Sequence, residues 1–272
     1  MNETTGEPRP HPRPERVEET IYRVGDTTFT AAPIKRFAST PDHFCVVKPP
    51  ALVDRYVELV DELRPLRIVE LGICKGGSTA LLAALARPEA MLAVELDPRP
   101  IKALEAFLTQ QGLDGSVTAA YGIDQSDGDR LDALVDTTLG AAPLDLVIDD
   151  ASHDLEFTRT SFNVLFPRLR PGGLFIIEDW SWAHMGYEAQ RLGAVPLTTL
   201  VFETVLAVPY QPGLIDDVLV NREWAVIRRG TGALAPGDFD ISTCYGERGR
   251  ALVTPLGSDG ADHTSSEQAA SG

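Results

Sequence analysis

The sequence predicts a doubly wound α/β fold: a mostly parallel sheet of seven strands, with an antiparallel strand at the end of the chain. Three observations predict it. Short apolar runs alternate with helix-periodic stretches between residues 66 and 180, and such alternation argues for parallel strands joined by right-handed helical crossovers. Those apolar runs stop abruptly in Gly, Asp or Glu, which marks one end of the sheet as the polar one. A further pair of apolar runs around an Asn-Arg turn, DDVLVNREWAVIRRG (216–230), has the pattern of a closing hairpin.

The elements follow in order. Residues 19–65 form an N-terminal cap segment that ends in a helical pattern, PALVDRYVELVDELR (50–64). LRIVELG (66–72) is a buried-strand pattern ending in Gly, and STALLAALA (78–86) a helix with Ser78 at its N-terminal end. MLAVELD (91–97) is the second strand of the alternating series, and PRPIKALEAFLTQQG (98–112) a helix with Pro near its start and Gly after its end. SVTAAYG (116–122), LDLVIDD (144–150) and GGLFIIEDW (172–180) are the third, fourth and fifth strands, separated by helical patterns at 127–139 and 155–169. Residues 1–18 and 256–272 are small, polar or Pro-rich without periodicity and read as disordered tails, because they carry too little apolar surface to order themselves. The main domain is then 66–255.

Composition excludes several classes of function. Of 272 residues, 43% are hydrophobic and 24% charged, so a sizeable core is available and collagen, a disulfide scaffold and whole-chain disorder are ruled out. The formal net charge is −16 and no Lys/Arg run interrupts it, which argues against nucleic acid as a partner. Cys45, Cys74 and Cys244 lie far apart with no CxxC pair, as in a protein of a reducing compartment. No apolar stretch resembles a signal peptide or a membrane span. The expected location is cytoplasmic.

Ligands of such folds bind outside the carboxyl ends of the strands, so the residues found there are the candidates. The first strand ends in Glu70-Leu71-Gly72 and continues Ile-Cys-Lys-Gly-Gly-Ser78, a glycine-rich turn into a helix whose free N–H groups suit an anionic or polar ligand. It is not G-x-G-x-x-G, since Cys74 takes the place of the second Gly. Glu95, ending the second strand, stands where an acid accepts hydrogen bonds from ribose hydroxyls; neighbouring Asp97 suits a helix-capping role. Asp124, Gln125 and Ser126 after the third strand either hold an adenine edge or form an Asx-type turn. VIDDASHD puts Asp149, Asp150 and His153 at one strand end, and FIIEDW puts Glu178 and Asp179 at the next. Carboxylates so gathered repel one another unless a cation enters or protons are taken up. Hard oxygen donors suit Mg²⁺, with Mn²⁺ or Ca²⁺ as alternatives; the competing roles are a cap by Asp150 and a solvated acidic rim. His153, three residues past Asp150, can take a proton near neutral pH.

Together these residues resemble the class I S-adenosylmethionine-dependent methyltransferases, and more narrowly the metal-dependent small-molecule O-methyltransferases. VELGICKGGST and AVELDP are similar to the cofactor-binding segments of the catechol group. GIDQSD, VIDDASH and RPGGLFIIEDW look more like the macrocin/mycinamicin-type sugar O-methyltransferases and the related cephalosporin hydroxylase-type proteins. The likeness covers roughly residues 66–182, with REWAVIRRG fitting the terminal hairpin. It implies a Rossmann-like fold, with Gly72 and Ser78 at the methionine moiety of the cofactor, Glu70 shaping the loop, Glu95 on the ribose, and Asp124, Gln125 and Ser126 around the adenine. It implies Asp150, Glu178 and Asp179 as Mg²⁺ ligands, and His153, with Asp150, as the catalytic residues. The implied acceptor is a hydroxyl of a saccharide or glycoside. Cys74 departs from the Gly or aromatic residue common in the family, and 19–65 and 183–215, where acceptor-binding elements would lie, match no family motif. Alternatives are a catechol-like phenol as acceptor, a non-catalytic cofactor-binding subunit, and an auxiliary of an oxygenase. The reading also allows a homodimer through the N-terminal region.

Overall fold

The computed structural model describes residues 13–185 and 195–253; most of both expected tails lies outside them. A sheet of seven strands forms the body. Its strands are β5 (Arg67–Leu71), β6 (Ala90–Glu95), β7 (Val117–Tyr121), β8 (Leu144–Asp149), β9 (Leu169–Glu178), β10 (Ile215–Val220) and β11 (Trp224–Arg229). Their spatial order is β10-β11-β9-β8-β5-β6-β7. β5 to β9 run parallel to one another, and β11 pairs antiparallel with both β9 and β10. This is the Rossmann-like, doubly wound, mostly parallel arrangement the alternation predicts, closed by an antiparallel strand.

Successive side chains of a strand point to opposite faces, and here both faces are covered, which is why the strands read as continuous apolar runs rather than alternating ones. Ile68, Leu146, Ile148, Leu174 and Ile176 join one core cluster with Tyr56, Leu81 and Phe107. Val69, Leu71, Val147, Phe175 and Ile177 join the other with Phe162 and Leu200. The first face is covered by α1 (Pro50–Leu63), α2 (Gly77–Ala86) and α3 (Lys102–Gln110); the second by α4 (Gly128–Leu139), α5 (Leu155–Leu165) and α6 (Thr198–Tyr210). A short α7 (Glu247–Val253) ends the described chain.

α2 is apolar on all sides and every one of its ten residues is buried; such a helix needs cover beyond the sheet itself. The cap segment provides it. β1 (Glu15–Glu18), β2 (Ile21–Val24), β3 (Thr27–Ala31) and β4 (His43–Val46) form a second sheet in that order, and its Tyr22, Phe29 and Phe44 belong to the same cluster as Leu81 and Leu85. Each such large apolar side chain contributes roughly 1.5–3 kcal/mol by leaving water.

The structure differs from the sequence reading at several points; β9, for one, begins at Leu169 rather than at residue 172. Residues 15–18, assigned to the N-terminal tail, form the edge strand β1; all four side chains are exposed, so the apolar pattern is blank, and backbone pairing with β2 and an Arg16–Asp54 ion pair hold them. α3 starts at Lys102 rather than at residue 98, because Pro98 and Pro100 disfavour helical backbone in the residues before them. α6 lies in a stretch for which no element is expected. Among the described residues, no helix is long and apolar enough to cross a membrane.

Candidate active site

The carboxyl ends of β5 to β8 open onto a pocket of about 270 Å³, lined by Gly72, Cys74, Glu95, Leu96, Ile123, Asp124, Gln125, Asp150, Ser152 and Phe157 among others. The glycine-rich turn builds one wall. Gly72 has φ +91°, and a Cβ there would stand 2.1 Å from the carbonyl oxygen of Asp150; only glycine lets β5 and β8 approach so closely. The Asp150 N–H donates to the Leu71 carbonyl at 2.9 Å and locks that approach. Cys74 adopts the left-handed conformation, φ +52°. The residue that departs from the glycine fingerprint therefore keeps a glycine-like backbone, at a steric cost of roughly 1–2 kcal/mol.

The sequence-predicted cofactor residues divide into two groups. Gly72, Glu95, Asp124 and Gln125 line the pocket, whereas Glu70, Ser78 and Ser126 are not among its lining residues. Glu95 stitches the turn to β6: Oε2 accepts from the amides of Ile73 at 3.1 Å and Cys74 at 2.8 Å, and Oε1 from that of Asp97 at 3.0 Å. Asp124 accepts from the amide and hydroxyl of Ser126, at 2.8 and 2.7 Å, so the Asx-type turn forms while Asp124 still faces the pocket. Gln125 is buried. Its Nε2 donates to Asp149 and its Oε1 accepts from the Ser152 amide at 2.9 Å, which ties the strand ends together beneath the pocket. Glu70 is 1% exposed, with Oε2 unpaired and its pKa raised by burial to about 7. Asp97 pairs with Arg99 at 2.6 Å instead of capping a helix.

The acids at the ends of β8 and β9 split between the two faces, as the two-residue period of a strand requires. Asp149 turns toward α5, where the Ser161 hydroxyl donates to it at 2.5 Å and Gln125 at 3.0 Å. Asp150 and Glu178 turn the other way. There Lys48, 4% exposed, donates to Asp150 Oδ2 and to Glu178 Oε2, each at 2.6 Å. The Tyr56 hydroxyl takes the remaining oxygen of Glu178. Capping of α5 falls to Asp154, which leaves Asp150 free of that role.

Asp150, His153 and Asp179 each offer one ligand atom, and these lie within 4.8 Å of one another. His153 Nε2 is 4.0 Å from Asp150 Oδ1 and 3.9 Å from Asp179 Oδ2. The two carboxylates supply hard oxygen donors that fit a divalent cation, with the imidazole close beside them. Glu178, expected as a third carboxylate ligand, is outside this group, with both oxygens engaged by Lys48 and Tyr56. Burial raises the Asp179 pKa to about 7, assisted by the neighbouring Asp150 charge. Burial lowers the His153 pKa below 6.5, so its imidazole is neutral at pH 7 and able to accept a proton. His153 and Asp179 both hold positive φ, +56° and +54°; backbone strain of this kind concentrates at functional sites.

Sequence reasoning missed Lys48, Tyr56, Trp182 and Phe157. Lys48 carried one weak signal, as one of only four lysines against twenty arginines. Tyr56 reads as an ordinary residue of the apolar stripe of α1. His184 bonds to Thr198 at 2.6 Å and takes no part in the acid cluster.

Comparison with known proteins bears on the fold and the family resemblance. Residues 69–180 match the sequence model of a family described as a methyltransferase domain. The demethylmacrocin O-methyltransferase of Streptomyces fradiae is 47% identical over 98 residues, covering 29% of this chain and 25% of that protein. The mycinamicin VI 2''-O-methyltransferase of Micromonospora griseorubida is 46% identical over 69 residues, 24% of this chain and 16% of that protein. An 8-demethyl-8-alpha-L-rhamnosyl tetracenomycin-C 2'-O-methyltransferase of Streptomyces olivaceus is 50% identical over 56 residues, 21% and 14% of the two chains. The matches thus span a quarter or less of these relatives. Among solved structures, the MycE methyltransferase of mycinamycin biosynthesis, in complex with Mg and SAH, superposes with a TM-score of 0.51 at 24% identity, over 72% of this chain and 55% of that one. The resemblance to the macrocin/mycinamicin-type enzymes holds in both sequence and fold.

Proposed function

We propose that this chain is an O-methyltransferase that moves the methyl group of S-adenosylmethionine to a hydroxyl of a sugar or glycoside with the help of a divalent cation. One observation carries the reading: the pocket edged by Gly72, Glu95 and Asp124 meets the Asp150–His153–Asp179 group at Asp150, which belongs to both. A cofactor pocket and a cation-and-base site that share a residue suit transfer between two bound molecules. The rhamnosyl group in the name of the Streptomyces olivaceus relative favours a glycosylated acceptor, and the Mg and SAH of the MycE complex favour the cofactor pair.

When bound between Asp150 and Asp179, the cation would supply a Lewis acid that lowers the pKa of the acceptor hydroxyl. The chain's own residues do the rest. Glu95 and Asp124 offer acceptor oxygens toward the ribose and adenine side of the pocket, and Phe157 and Leu96 exclude water from its apolar wall. His153 takes the hydroxyl proton at Nε2. S-adenosylmethionine, bound beside Gly72, Glu95 and Asp124, would supply the methyl group to the acceptor oxygen and would leave as S-adenosylhomocysteine. Much of the rate advantage comes from holding oxygen, methyl and base in line.

The test is an acceptor screen with S-adenosylmethionine and Mg²⁺, with product masses as the readout. A gain of one methyl group on a glycoside, abolished by EDTA and restored by Mg²⁺, supports the reading. Methylation confined to catechols replaces the acceptor class. Transfer that ignores chelation removes the cation, and no transfer to any acceptor leaves a cofactor-binding subunit.

A further inference from the structure

We propose that Lys48 is a resident counter-cation of the acid cluster, competing with a divalent metal for Asp150 and Glu178 and thereby setting how tightly the site takes that metal. Lys48 is not a solvated surface charge. Its side chain is 4% exposed, and Nζ lies 2.6 Å from one oxygen of Asp150 and 2.6 Å from one of Glu178, with the Tyr56 ring 5.3 Å away on a further side. Its backbone position is anchored too, since the Lys48 amide donates to the Val46 carbonyl at 2.8 Å and Pro49 and Pro50 lead directly into α1. The ammonium is built into the cluster from the N-terminal segment, 102 residues from Asp150 and 130 from Glu178.

Charge and ligand supply both follow from that placement. Asp150, Glu178 and Asp179 carry three negative charges when ionised. Lys48 offsets one and leaves two, which a single divalent cation neutralises. It also holds one oxygen of each of the two carboxylates it touches, and Glu178 stays outside the group around His153. Without Lys48 the same cation would face three unopposed carboxylates, with Glu178 released to join as a ligand. Metal affinity therefore rises when the lysine charge is removed. A lysine that served only as a strut for Asp150 would show the opposite sign.

The inference rests on the metal-assisted reading of this site, and Mn²⁺ titration separates the two. Calorimetry with Mn²⁺ alone, on the full chain and on Lys48→Met, should give a Kd at least about tenfold lower in the variant, and Mn²⁺ should raise the Tm of the variant by more than it raises that of the wild type. Binding detected only in the variant supports the inference as well. An equal or weaker affinity in Lys48→Met overturns it while leaving the metal reading intact; absence of binding in both proteins overturns both. Should Lys48→Met not fold, Lys48→Gln, which keeps a donor for Glu178 without the charge, carries the same expectation and the same overturning result.

Discussion

The imidazole of His153 packs against the indole of Trp182, with ring centroids 4.6 Å apart at 49°. The contact keeps His153 buried and aims Nε2 between Asp150 and Asp179. An aromatic pair of this kind contributes about 0.5–1.5 kcal/mol beyond its buried area, and here it holds a side chain whose backbone is already in the left-handed region.

Trp182→Ala should hydrate His153 and raise its pKa toward 6.5. A base works only when neutral, so the acidic limb of the kcat/KM profile should move to higher pH, with the loss falling below pH 6.5 and little change at pH 7. His153→Ala should abolish most turnover and leave S-adenosylhomocysteine binding nearly intact. An unchanged rate defeats the base assignment, and a collapse of Mn²⁺ affinity would make His153 a ligand instead.

Gly72→Ala should damage the fold and the pocket together. Its φ of +91° and the 2.1 Å approach of the added Cβ to the Asp150 carbonyl oxygen force β5 and β8 apart, which we expect to cost about 3 kcal/mol or more. Thermal melts and S-adenosylhomocysteine titration check it. A variant with wild-type Tm and affinity would show that this close approach is not required.

Glu70→Gln should change how stability depends on pH. Burial raises the folded-state pKa of Glu70 to about 7 from an ordinary value of 4.5. Between those values the folded protein holds a proton that the unfolded chain has released, so the contribution of Glu70 to stability is full below pH 4.5 and is lost as pH rises through 7. Glutamine is neutral throughout. The variant should therefore gain on the wild type between pH 5 and 8, by something of the order of 2–3 kcal/mol, as read by urea denaturation of the cofactor-free protein. A difference that does not vary with pH contradicts the buried-acid account.

The fold was legible because its signals are local. Strands such as LRIVELG and LDLVIDD are buried on both faces and therefore uniformly apolar, and the glycines and acids that end them sit where the sheet meets solvent. The tail boundary failed at Glu15–Glu18 for the same reason: an edge strand with four exposed side chains has no apolar signature, and backbone hydrogen bonds leave no mark in composition. The cap segment carried a hint that only packing interprets, since STALLAALA is apolar all round and must be covered on its outer side.

The sequence by itself determined the class of fold, the end of the sheet where the chemistry gathers, and the residues there that can hold a proton or a cation, because strand periodicity and residue chemistry are properties of short segments. Only the tertiary structure decided how those residues are divided. Adjacent acids of a strand end face opposite ways, which sends Asp149 to Gln125 and Ser161 and turns Asp150 toward Lys48. The partners on the first face lie within 24 residues of Asp149, whereas the partner on the other face arrives from a segment more than a hundred residues away along the chain. The arrival of Lys48 and Tyr56 at Glu178 depends on the N-terminal segment folding back over the first face of the sheet, and no local pattern encodes a contact of that range.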